Sequence, residues 1–301
     1  MRRYIAADSL FAVFVLLCCA ACANPAMENN TAPGRIHEKP AKPQESGRAS
    51  AAAARAVKPL HVESPYQALS AAVSETIRED GGNAAVAVDD LTTGVSAAYN
   101  GAKEFDTASI VKVDILSTLL YQLQQAGRST STEEWQLAAT MIENSDNDAA
   151  SDLYNDVGGP AGIGAANRVF GLSQTTVGED GYWGLTTTTA EDQIRLLHQV
   201  FTSSSALSSA SRTYIQGLMS NVEVDQRWGV SAAADAGTNY MVKNGWLPNP
   251  YLWEINSIGE VTHDGQRMLI AVLSSGNASE DSGISLIESI AERAADAIAH
   301  N

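Results

Sequence analysis

Thr107-Ala108-Ser109-Ile110-Val111-Lys112 is the stretch on which the reading of this chain turns. From Ser109 to Gln125 the apolar positions recur at helical spacing. Asp106 or Thr107 can cap the start, which sets a serine hydroxyl at the positive end of the expected helix. Ser109 and Lys112 stand three residues apart, so they share one helix face. A lysine held there and partly desolvated loses basicity and can take the serine's proton. The same spacing is common on ordinary surface helices, so the pair needs company before it means chemistry.

Working outward, apolar positions from Pro65 to Ile77 predict a helix ended by Gly81-Gly82, and Ala84 to Ala87 and Val95 to Tyr99 read as strands around the turn Asp89 to Gly94. After Ser109 to Gln125 come helical patterns at Thr132 to Ile142, Asp146 to Tyr154, Gly162 to Phe170, Thr188 to Phe201 and Ser211 to Met219. Strand signals return at Tyr240 to Trp246, Tyr251 to Ile258 and Arg267 to Leu273, before a closing helix from Gly283 to Ala299. This order predicts an α/β (α+β) fold: an antiparallel sheet flanked by helices, with an all-helical lobe inserted between its strands. Residues 61–101 and 222–301 would form the α/β lobe and residues 102–221 the helical lobe. The cleft between them is the expected place for a small-molecule site.

Two further stretches bear polar groups in telling places. Ser145-Asp146-Asn147 interrupts two helical stretches, which a helix end followed by a helix cap would also explain. Lys243-Asn244-Gly245 lies on a strand that continues to Trp246. It is either an edge feature or a cation for a substrate carboxylate beside a glycine that lets backbone approach.

Taken together, in this order and on these elements, the three stretches resemble the penicillin-recognising serine enzymes, specifically class A β-lactamases and their D,D-peptidase relatives. Their motifs are Ser-x-x-Lys, Ser-Asp-Asn and Lys-Thr-Gly. The resemblance runs over residues 61–301 and includes Thr186-Thr187-Thr188-Thr189-Ala190, similar to the Thr-rich start of the helix that follows the family's omega loop. It implies that Ser109 is the nucleophile, Lys112 acts in the proton relay and Ser145 passes a proton to the leaving nitrogen. Asn147 would hold the substrate amide, Lys243 would attract its carboxylate, and the N–H groups of Ser109 and Trp246 would form an oxyanion hole. The implied substrates are β-lactams or D-alanyl cell-wall peptides. The alternatives within the resemblance are a D,D-carboxypeptidase or endopeptidase and a penicillin-binding envelope protein with little turnover.

The chain departs from the family pattern in three places. Asn244 replaces the threonine of the third motif, and an amide can still donate a hydrogen bond. The omega-loop segment Leu172 to Leu185 lacks a Glu-x-x-Leu-Asn pattern; Glu179 is its candidate deacylation base, and a solvated turn explains the same residue. Glu191, three residues after Thr188, suits a capping box. The interval from Ser109 to Ser145 is short, which suggests an open cleft.

The two ends of the composition set the setting. Arg2, Arg3 and the apolar run Leu10 to Ala21 read as an export signal (residues 1–23), too short for a comfortable membrane span. It admits cleavage after Ala23, giving a secreted protein, or before Cys22, giving a lipid-anchored one. Residues 24–60, rich in Pro and Ala, read as a flexible tether. All three cysteines fall at Cys18, Cys19 and Cys22, so the domain itself has no disulfide and no thiol site. His198 and His263 lack metal-ligand spacing; no metal and no cofactor are expected, and the domain is expected to be monomeric. The net charge of −16 argues against a nucleic-acid partner. Residues 1–60 hold eight Lys or Arg and four Asp or Glu, so the domain beyond them is more acidic than the whole.

Overall fold

A computed structural model describes residues 64–79, 83–249 and 251–301. The export signal, the tether, the Cys22 anchor and the Gly81-Gly82 helix end lie outside the described residues.

A five-stranded antiparallel sheet is ordered β2-β1-β7-β6-β5: β1 is Asn83–Asp90, β2 Ser96–Tyr99, β5 Met241–Asn249, β6 Leu252–His263 and β7 Gln266–Asn277. The first two strands and the last three, far apart in sequence, meet where β1 pairs with β7, Val86 opposite Val272. Both faces of the central strands are buried, and alternation sends successive residues to different cores. Ala84, Val86, Val88, Met268, Ile270 and Val272 pack under α1 (Pro65–Glu79) and α8 (Glu280–Ala299). Ala85, Ala87, Leu269, Ala271 and Leu273 face the second core, formed with the helices inserted between β3 (Glu104–Asp106) and β5.

Those helices are α2 (Val111–Gln125), α3 (Thr132–Glu143), α4 (Asn147–Asp156), α5 (Gly159–Phe170), α6 (Ala190–Phe201) and α7 (Ser209–Ser220). Their starts follow from capping chemistry. Ser131 and Glu134 form a reciprocal capping box at α3, and Asp146 accepts from Ala149 N at α4. The expected mixed fold, an antiparallel sheet with an inserted helical lobe, is the one observed.

Local differences have physical causes. Helix α2 is preceded by a 3-10 turn, Ala108–Ile110, because Ala108 takes a left-handed φ of 46° and the chain must tighten before it can run straight. Thr187–Thr189 is not helix but a short strand, β4, paired with β3 so that Phe105 lies opposite Thr188. The helix cap therefore moves one residue on, to Thr189, whose hydroxyl accepts from Asp192 N, and Glu191 pairs with Arg195 at 3.4 Å instead of closing a box. Strands β6 and β7 run further than their apolar cores suggest, to the tight turn at Asp264 and Gly265, both with positive φ.

Candidate active site

The turn that carries Ser109 is held from both lobes. The β3–β4 pair ties residues 104–106 to 187–189, and Thr107 N donates to Thr186 O at 2.8 Å. From the sheet, the fully buried Asn256 on β6 donates to Asp106 O (2.9 Å) and Thr107 O (3.1 Å). A Cβ on Gly245 would come within 2.7 Å of Thr107 O and 2.8 Å of Ser109 N. Only glycine lets the outer strand β5 approach the Ser109 turn this closely.

Within that frame Lys112, one turn along from Ser109, has no exposed surface. Its Nζ stands 3.0 Å from Ser109 Oγ, 2.6 Å from Ser145 O, 3.1 Å from Ser145 Oγ and 2.9 Å from Asn147 Oδ1. Ser145 sits between α3 and α4 with a left-handed φ of 56°, which turns both its carbonyl and its hydroxyl toward Lys112. The carbonyl and the Asn147 amide oxygen can only accept, so they take two N–H bonds from the amine. A neutral amine then has a lone pair left for a hydroxyl proton, and Ser109 Oγ is in place to give it. Burial lowers the Lys112 pKa from 10.5 to about 7, against the opposing pull of Asp146.

Lys243 on β5 is also fully buried and donates to Ser145 Oγ (3.0 Å) and Asn244 O (2.9 Å). Burial, and then the charge of Lys112, push its pKa well below the usual lysine range. Two buried amines thus converge on one hydroxyl.

Ser109, Lys112, Ser145, Asn147 and Lys243 are brought together, and Trp246 joins Ala108, Ser109, Ser145, Asn147, Trp183, Gly184 and Leu247 around a cleft of 170 Å³. Two residues named from the sequence stand elsewhere. Asn244 points out of the cleft, because neighbours on a strand alternate in direction: its amide donates to Gln226 O (2.7 Å) and Trp228 O (2.9 Å), pinning the segment beneath Trp246. Glu179 is exposed, with its carbonyl closing a turn to Tyr182 N, and does not line the cleft. No carboxylate lines the cleft among the described residues.

The residue that sequence reasoning missed is Trp183. Its ring lies 4.9 Å from Lys112 Nζ, and it lines the cleft together with Trp246. A lone tryptophan in a polar stretch carried no signal of this. His198 bonds Asp89 on β1 (2.5 Å) and His263 bonds Ala233 O and Asp296, so both join elements of the fold. Among the described residues no cluster of three or more His, Cys, Asp or Glu could hold a metal ion. Three larger cavities, two of 340 Å³ between β2 and α6 and between α2 and α7 and one of 480 Å³ between α7 and β5, are lined by no serine hydrogen-bonded to a lysine or histidine among the described residues. Chemistry rather than volume marks the site.

The model of the beta-lactamase enzyme family matches residues 68–134 and 123–298. A Mycobacterium tuberculosis protein named "Putative lipoprotein LppW" is 28% identical over 173 residues, covering 56% of this chain and 55% of that protein. A Mycobacterium bovis protein of the same name matches with the same figures. The chain thus spans about half the length of the curated relatives it matches. Among solved structures, a class A beta-lactamase from Bacteroides cellulosilyticus superposes with a TM-score of 0.69 at 17% identity, over 79% of this chain and 100% of that one. A beta-lactamase from Chitinophaga pinensis gives 0.67 at 20% identity over 77% and 99%. A PBP-A mutant in acyl-enzyme complex with penicillin G gives 0.67 at 20% over 78% and 97%. At these identities the likeness is one of fold.

Proposed function

The chain belongs to the beta-lactamase enzyme family, and from that premise we propose that it is a serine acyl-hydrolase whose Ser109 is acylated by β-lactams or related D-alanyl amides. The observation that supports this most is the contact between Ser109 Oγ and a fully buried Lys112 Nζ at 3.0 Å. With its pKa lowered to about 7, Lys112 is substantially neutral at physiological pH and can accept the serine proton as Oγ attacks the carbonyl. The N–H groups of Ser109 and Trp246 receive the developing oxyanion, a reading supported by the close approach that Gly245 permits. Ser145 Oγ, within reach of both lysines, relays the proton to the leaving nitrogen. Lys243 orients that hydroxyl from behind, and a substrate carboxylate arriving nearby favours its charged form. Asn147 braces Lys112 and holds the substrate amide.

That no carboxylate lines the cleft among the described residues favours a second outcome within the same chemistry, an acyl-enzyme that forms and persists, as a D,D-peptidase or penicillin-binding envelope protein would show with β-lactams. Following colour and intact mass together with a chromogenic β-lactam separates the two. Continuous colour supports hydrolysis, and a stoichiometric adduct with a single burst of colour supports the trapped form. Neither adduct nor turnover, with β-lactam or D-Ala-D-Ala peptide, would refute the proposal. Export, with or without a lipid on Cys22, belongs to the same reading and is supported by the name of the mycobacterial relatives. Among the described residues no helix is long and apolar enough to cross a membrane.

A further inference from the structure

Trp183 is fixed in place from several sides. Its Nε1–H donates to Ser151 Oγ (3.1 Å), and that hydroxyl donates to Asn147 O (2.9 Å), so the indole is tied to the residue that braces Lys112. The segment leading to it is folded tightly on itself. Tyr154 Oη donates to Gly178 O (2.6 Å), and Gly178 N donates to Thr186 Oγ1 (3.0 Å). A Cβ on Gly178 would stand 2.1 Å from Tyr182 O. Lys112 has no exposed surface, with the Trp183 ring 4.9 Å from its Nζ, although the adjoining Ser109 is only partly buried.

Acylation and hydrolysis make different demands on this amine. In acylation the Ser109 Oγ–C bond forms and the amide C–N bond breaks; the proton leaves Oγ for Lys112 Nζ and reaches the leaving nitrogen through Ser145 Oγ. In hydrolysis a water oxygen–carbon bond forms and the Oγ–C bond breaks, and the water's proton returns to Ser109 Oγ. No carboxylate is among the described residues that line the cleft, and the basic group nearest Ser109 Oγ is Lys112 Nζ at 3.0 Å, so in this reading Lys112 serves both steps. Only the second needs a water beside it. We propose that Trp183 is a positioning residue that excludes water from Lys112 and from the ester on Ser109, so that the site acylates readily and hydrolyses slowly; this rests on the acyl-hydrolase reading above.

The groups facing Lys112 are accounted for on each side. Asp146, at the start of α4, favours the ammonium form of Lys112, and Lys243 on β5 shares Ser145 Oγ with it and has its own pKa lowered by burial and then by the charge of Lys112. Glu179 and Asp180, on the segment before Trp183, are exposed. The indole face itself attracts a cation, so an effect of Trp183 that favours the neutral amine must come from exclusion of water.

The test uses the full chain with a β-lactam, measuring acylation rate against pH and adduct lifetime by intact mass, for wild type, W183F, W183L and W183A. W183A is expected to shorten the adduct lifetime at least tenfold and to raise the acylation midpoint by about one pH unit. W183F and W183L keep an apolar cover and are expected to stay near wild type. A folded W183A with unchanged lifetime and midpoint overturns the inference. Should W183A fail to fold, Ser151→Ala, which frees the indole N–H, is expected to shorten the lifetime, and an unchanged lifetime there overturns it equally. No adduct on the wild type would overturn the acyl-hydrolase reading and this inference with it, a result distinct from an adduct whose lifetime ignores position 183.

Discussion

At Lys112 the decisive quantity is how many hydrogen-bond acceptors crowd one amine. Two obligatory acceptors, Ser145 O and Asn147 Oδ1, use two N–H bonds, and burial removes the water that would otherwise hold the ammonium. The proposed chemistry therefore follows from placement, and Glu179 is exposed and is not among the residues that line the cleft. Glu179→Gln is expected to leave both the acylation rate and the adduct lifetime within twofold of wild type in stopped-flow and mass measurements; a tenfold longer lifetime would identify Glu179 as a deacylation base. Ser109, Lys112, Ser145, Asn147 and Lys243 were legible in the sequence because each belongs to a short local pattern. The directions of Asn244 and Trp183 were not. One depends on which face of β5 meets the segment below it, the other on how the turn before β4 folds over α2.

The element that joins these residues is α2, and it carries a second buried ionisable group on another side. Asp114 is fully buried, accepts from Asn167 Nδ2 (2.9 Å) through one oxygen, and its other oxygen has no partner. Burial raises its pKa from 3.8 to about 7. The folded protein thus keeps a proton there that the unfolded chain releases near pH 4, and this group's contribution lowers stability as pH rises from 4 through 7. Asp114→Asn retains the acceptor for Asn167 and cannot ionise. Its melting temperature is expected to fall less between pH 5 and pH 8 than that of wild type; equal falls would contradict the assignment. The helices around α2 were visible in the apolar periodicity. The pair β3–β4 was not, since strands of three residues give too short an alternation to read, yet this pair fixes the Ser109 turn against the segment bearing Trp183.

Over the whole domain the two cores lie on opposite faces of one sheet, and the site forms where β5, α2 and α4 meet. Helix α1 belongs to the core remote from the site, where Leu69 and Val73 are completely buried and Ile77 nearly so. Burial of each such side chain contributes about 1.5–3 kcal/mol. Deleting residues 1–58 is expected to leave acylation and melting temperature unchanged. Deleting residues 1–79 removes α1 and is expected to abolish cooperative unfolding in circular dichroism; retention of both folding and acylation would show that α1 is dispensable. The central claim, that Ser109 is the nucleophile and Lys112 its base, is tested most directly by peptide mapping after exposure to a β-lactam. Cleavage after Lys103 and Lys112 isolates Glu104–Lys112, in which Ser109 is the one serine. The account predicts the mass of one intact β-lactam on that peptide. It further predicts that the adduct is absent in Ser109→Ala and forms about 10²–10⁴-fold more slowly in Lys112→Ala, where the adduct is sought on the correspondingly longer peptide. An adduct on any other peptide, or an adduct that survives Ser109→Ala, would contradict it.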